Sequence, residues 1–179
     1  MRTLIGKMAV MSMAATFGLA WAGEAQEKLS KELAPFAPYV GKTWKGEFAS
    51  STKEKPIHDV SRWERALNGR GIRVVHSVND GQYGGESMII WDAKKKSLVY
   101  WYFTTAGFYT QGTMKHEDGK WIGHETVTGQ SNVSEVKSTS QILPDGRLHT
   151  KAQYLKDGKW VEGREVFYKE APEAKVIFK

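Results

Sequence analysis

A chain of 179 residues with a formal charge of +6 is long enough for one domain with its own core. It contains no cysteine, which rules out disulfides, thiolate metal sites and a cysteine nucleophile together. Its 26 basic residues are dispersed, with Lys94-Lys95-Lys96 as the single run, so the basic stripe of a nucleic-acid binder is missing and no nucleic-acid partner is expected.

Residues 1–22 have the layout of a secretory signal peptide. Arg2 and Lys7 form a basic start, Met8 to Ala20 is uncharged and mostly apolar, and Ala20-Trp21-Ala22 supplies the small residues a signal peptidase reads. The apolar stretch falls short of the roughly 20 residues a membrane span needs, and no cysteine follows for lipid attachment, so no stable membrane anchor is expected. Cleavage after Ala22 would place a bacterial protein in the periplasm or outside the cell.

Residues 23–40 form a lead-in. Glu24 to Leu33 tolerates helix, Pro35 and Pro38 end it, and Ala34 to Val40 reads as an extended segment able to cover one end of a barrel. From residue 41 to 170 the chain repeats short runs of alternating apolar and polar residues, each closed by a Gly, Asn or Asp turn. Alternation puts one row of side chains on each face of a strand. The runs are Trp44–Ser50, Ile57–Leu67, Gly71–Val78, Tyr83–Trp91, Ser97–Thr105, Phe108–His116, Trp121–Thr128, Ser134–Leu143, Arg147–Leu155 and Trp160–Tyr168. Asn68-Gly69, Asp118-Gly119 and Asp157-Gly158 are strong hairpin signals. The Trp121 and Trp160 segments echo each other, but two copies do not make a propeller, and shared hairpin chemistry accounts for them. Residues 171–179 read as a C-terminal tail. Short sequential hairpins predict an all-β, closed, up-and-down antiparallel barrel of about ten strands, because closure removes exposed edges.

Gly41, Trp44 and Gly46 after a short helix resemble the opening of the calycin group of lipocalins, fatty-acid-binding proteins and nitrobindins. Trp63 to Gly71, Ile90-Trp91-Asp92 and Leu98 to Gly107 extend the likeness over about Leu33 to Lys169, and resemble an uncharacterised bacterial lipocalin-like family. The resemblance implies a barrel that holds a small molecule. Nitrobindins carry a Gly-rich, Tyr-Pro-containing segment after the first strand, where this chain has Phe48-Ala49-Ser50-Ser51-Thr52, so neither haem nor another cofactor is expected.

No nucleophile elbow and no phosphate-cradling loop before a helix occurs, so no catalytic residue is assigned and an enzyme is the lesser expectation. The five histidines include no His-x-His or His-x-x-x-His pair, and no metal is expected. Aromatic residues are clustered: Tyr100-Trp101-Tyr102-Phe103 is aromatic on both faces, followed by Phe108 and Tyr109. Such a pattern packs a core or lines a ligand cavity. The candidate ligand-binding residues are Arg62, His76, Trp101, Tyr102, Tyr109, Gln111, His124 and Arg164. Rings supply contact area, and Tyr hydroxyls and the Gln111 amide supply orientation. Arg62 or Arg164 can hold a carboxylate through paired N–H donors, or, as in lipocalins, an Arg can pack over Trp44. The partner is thus expected to be a small, partly apolar molecule. Two alternatives stand beside this: a calycin-type isomerase, cyclase or decarboxylase drawing on Tyr102, Tyr109, Arg62, Glu64 and Glu86, and a non-catalytic interaction module with a solid barrel.

Overall fold

The computed structural model describes residues 28–129 and 132–179. The expected leader and its cleavage site lie outside the described residues. Ten strands follow in chain order: β1 Thr43–Phe48, β2 His58–Ala66, β3 Gly71–Val78, β4 Tyr83–Asp92, β5 Ser97–Thr104, β6 Tyr109–Glu117, β7 Lys120–Thr128, β8 Glu135–Ile142, β9 Leu148–Lys156 and β10 Lys159–Glu170. Each pairs antiparallel with its sequence neighbours, and β1 closes the barrel by pairing with both β2 and β10. At the closure Trp44 stands opposite Ser61 on one side and Glu170 on the other.

The two Asp-Gly turns behave as their residue types dictate, whereas Asn68-Gly69 lies in a 3-10 turn, Leu67–Gly69, rather than a two-residue hairpin. Asp118 and Asp157 both take φ 49, and Gly119 and Gly158 both take φ 74, so the two echoing segments share one hairpin geometry.

The lead-in departs from the extended form expected of it. Lys31–Phe36 forms a 3-10 helix with Pro35 inside. The fixed φ of proline suits this helix, and its threefold period stacks Leu33 and Phe36 on one side. Both are fully buried, with Tyr39 close behind. Phe36 stacks on Trp121 at 3.8 Å, and Tyr39 lies 5.3 Å from Trp63. With Trp44, Ile72, Ile89 and Leu148 they fill one end of the barrel as its apolar core. The tail lies along the outside of β3 and β4, where the Ile177 N–H donates to Ser77 Oγ at 3.0 Å.

Candidate functional site: a polar lumen

Above the plug the barrel is hollow. A cavity of about 610 Å³ is lined by the inward rows of the strands and by the lead-in. Alternation selects those rows: Asp59, Ser61 and Trp63 on β2; Val74, His76 and Val78 on β3; Tyr83, Ser87 and Ile89 on β4; Tyr100 and Tyr102 on β5. Thr110 and Met114 on β6, Trp121, Glu125 and Val127 on β7, Val136 and Ser138 on β8, and Ala152 and Tyr154 on β9 continue the wall.

Four strands build one hydrogen-bonded chain. Tyr83 Oη meets Tyr102 Oη at 2.8 Å, Tyr102 Oη meets His76 Nε2 at 2.7 Å, and His76 Nδ1 meets Asp59 Oδ1 at 2.8 Å. From β10, the Tyr168 hydroxyl donates to the other Asp59 oxygen at 2.7 Å. Tyr83 and Tyr102 line the cavity towards the end away from the plug, whereas Asp59 is 1% exposed. Gly85 makes room for this chain: a Cβ there would stand 2.4 Å from the Tyr102 ring. Burial, ahead of any neighbouring charge, pushes the Tyr83, Tyr102 and Tyr168 phenols above their ordinary pKa. They remain protonated and serve as hydrogen-bond partners rather than charges.

Across the lumen stands Glu125. Thr110 and Tyr100 donate to its carboxylate, and Arg164 attracts it, yet burial dominates and raises its pKa. The sequence carries a signal for this residue: Glu125 shares the row of Trp121 and Gly123, which begins at an aromatic core position.

Arg164 reaches the lumen through an irregularity. On β10, Glu162 pairs with Gln153 and Glu165 with Lys151, so three steps on one strand oppose two on the other. A bulge of this kind re-aims the side chains beyond it. Trp160 and Glu162 stay exposed, whereas Val166 and Tyr168 are buried, and Arg164 joins the inner wall. Gly163 permits the bulge to close against Tyr154, whose ring lies 2.6 Å from where a Cβ would be. Arg164 lines the cavity and is exposed to it, although protein atoms crowd around it. Burial alone would weaken its charge; the Asp59 carboxylate is the neighbouring charge that opposes this, and the guanidinium stays cationic. Among the described residues, no side chain forms an ion pair or hydrogen bond with that guanidinium.

The eight expected residues therefore divide by face. His76, Tyr102 and Arg164 meet in the lumen. Arg62 is on the outer face, 2.8 Å from Glu64, which with Glu86 holds Arg73 in a ladder of outward charges. That ladder also takes Glu64 and Glu86 out of the lumen. Trp101 pairs with Gln111 on the outer face, and Tyr109 lies 6.0 Å from Phe103, also outside. His124 points outward to Glu135 at 2.6 Å. The cation over Trp44 is Lys42, at 5.4 Å, and not an Arg of a late strand. No cluster of three or more His, Asp or Glu suited to a metal ion occurs among the described residues. No helix among them is long and apolar enough to cross a membrane.

Comparison with known proteins fixes the class at the level of fold. No family model matches the chain, and no curated protein matches it by sequence. Among solved structures it is similar to Rv2717c from M. tuberculosis, with a TM-score of 0.60 and 12% identity over 80% of this chain and 99% of that one. The chain is a closed ten-stranded antiparallel barrel, consistent with a calycin-like architecture.

Proposed function

We propose that this protein binds a small, partly apolar acid inside the barrel, with the carboxylate on Arg164. The observation that carries the reading is an unpaired guanidinium facing a cavity of about 610 Å³. That size lies within the range of small-molecule sites, which are mostly apolar with a few placed polar groups. No protein carboxylate bonds directly to this cation, and a ligand carboxylate accepting two N–H bonds would occupy its free donors. Phe48, Ile57, Val78, Phe108 and Val127 offer the remainder of the ligand an apolar wall. The cavity weighs against a solid interaction module. Export to the periplasm or beyond, supported by the composition of residues 1–22, belongs to the same proposal, and N-terminal sequencing of the protein from its host tests it.

Displacement of anilinonaphthalene sulfonate fluorescence by a panel of aryl and alkyl carboxylates tests binding. Acids should displace the dye, the matching amides should not, and Arg164→Met should abolish the preference. Equal displacement by acids and amides would refute the anchor.

A second reading, acid–base catalysis in the same lumen, draws support from two inward carboxylates bonded to tyrosines: Asp59 to Tyr168 and Glu125 to Tyr100. Turnover of an oxo acid that is lost in Glu125→Gln would favour it; absence of turnover across the acids that bind would remove it.

A further inference from the structure

The chain Tyr83–Tyr102–His76–Asp59 has a direction that follows from donor and acceptor chemistry. Asp59 as a carboxylate can only accept, and it accepts from Tyr168 at one oxygen and from His76 Nδ1 at the other. His76 Nε2 then settles everything above it. With a neutral imidazole, Nε2 accepts from Tyr102, Tyr102 accepts from Tyr83, and Tyr83 presents only lone pairs to the lumen. With a proton on Nε2 the order reverses. His76 donates to Tyr102, Tyr102 donates to Tyr83, and the Tyr83 O–H is free to donate to whatever occupies the cavity. One proton on His76 thus converts the lumen end of the chain from acceptor to donor.

We propose that this chain is an oxyanion-holding arm, and that its ligand is a phenol or enol taken up in ionised form with its proton lodged on His76. The transfer balances without any co-reactant. The ligand O–H gives its proton to Tyr83 Oη, Tyr83 passes its own to Tyr102, and Tyr102 passes its own to His76 Nε2. Net, one ligand O–H bond is broken and one N–H bond is made. The product is a ligand oxyanion hydrogen-bonded to Tyr83 and an imidazolium paired with Asp59. Four elements face the relay. Asp59 from β2 bonds the imidazole at Nδ1, Tyr102 from β5 bonds it at Nε2, and Tyr83 from β4 lies edge-on to the ring; Arg164 from β10 acts on the two phenols and would attract a ligand oxyanion beside them. Raised phenol pKa values at Tyr83 and Tyr102 agree with both acting as relays that keep their protons at rest. Preorganised donors in an enclosed site are the arrangement that stabilises developing oxyanions.

The inference rests on the reading that the lumen admits a small molecule, and its test uses a probe without a carboxylate. 4-Nitrophenol absorbs at well-separated wavelengths as phenol and as phenolate. Bound at a pH where the free probe is mostly un-ionised, it should show the phenolate band, with the ionised-to-neutral ratio raised at least tenfold. Tyr83→Phe, Tyr102→Phe and His76→Gln should each return the bound spectrum to the phenol form, and Arg164→Met, which removes only an added attraction for the oxyanion, should reduce the phenolate band without abolishing it. The two Tyr→Phe changes retain the ring, so they remain informative if His76→Gln fails to fold. A phenol spectrum in the unaltered protein overturns the arm, as does a phenolate band that survives Tyr83→Phe but vanishes in Arg164→Met. If carboxylates displace the dye and 4-nitrophenol does not bind, the arm falls while the acid-binding reading stands. If neither enters the lumen, both fall.

Discussion

The plugged end and the hollow end of this barrel are built by the same ten strands, yet they use their inward rows for opposite purposes. At the plugged end Leu33, Phe36, Trp44, Ile72 and Leu148 exclude solvent and are each at most 1% exposed. At the hollow end, Asp59, His76, Tyr102, Glu125 and Arg164 place hydrogen-bonding and charged groups around empty volume. The contrast teaches where the energy resides. Apolar packing at one end gives enough stability to tolerate an unpaired guanidinium and a buried carboxyl at the other.

The largest expected effect breaks the plug. Phe36→Ala removes the ring stacked on Trp121 and should destabilise the protein by about 3–5 kcal/mol in urea unfolding. A change below about 1 kcal/mol would show that the lead-in is dispensable. Next is Arg164→Met at the hollow end, which separates binding from stability. Acid affinity should fall about 10- to 100-fold, the worth of charge-assisted hydrogen bonds, and the unfolding midpoint should hold or rise. Loss of stability together with affinity would make Arg164 a structural group.

Glu125 sharpens the comparison through pH. Because burial raises its pKa, the folded protein keeps this proton to a higher pH than the unfolded chain does. The stability this lends is complete below the ordinary glutamate range and drains away as the pH climbs through the raised value. Glu125→Gln should therefore match the unaltered protein in acid and exceed it towards neutrality, by about 1.4 kcal/mol for each unit of the rise. Parallel stability curves would contradict the account. The smallest effect belongs to the outer face. Arg73 is pinned between Glu64 and Glu86, and solvent screens that ladder, so Arg73→Met should cost less than about 1 kcal/mol and leave ligand affinity untouched.

The strands and their order were legible because alternation and turn chemistry are local. All ten expected runs became strands, with no end moved by more than two residues, and the Asp-Gly turns adopted their hairpin conformation. The lead-in misled because proline ends an α-helix but is welcome in a 3-10 turn. The site was only partly legible, since alternation says that two faces exist and not which one turns inward. Arg62 and His124 lie on outer rows, while their strand neighbours Ser61 and Glu125 face the lumen. A rule was available on β2, where Asp59 and Ser61 share the row of Trp63, a residue too large and apolar to be left outside. Arg164 was harder, because a bulge reverses the parity of β10 between Glu162 and Glu165. Gly163 was the local clue, as a glycine inside a strand often marks such a bulge. The Asp59–Tyr168 bond, between residues 109 apart in sequence, depends on barrel closure and had no local trace.

The central claim is that the hollow end receives a small acid on Arg164. A crystal structure of the protein grown with a bromine-bearing aryl carboxylate tests it most directly, because the anomalous signal locates the ligand. The account predicts one bromine site inside the lumen, with the carboxylate oxygens about 3 Å from the Arg164 guanidinium. Bromine found only outside the barrel, or a lumen closed by its own side chains, would contradict it.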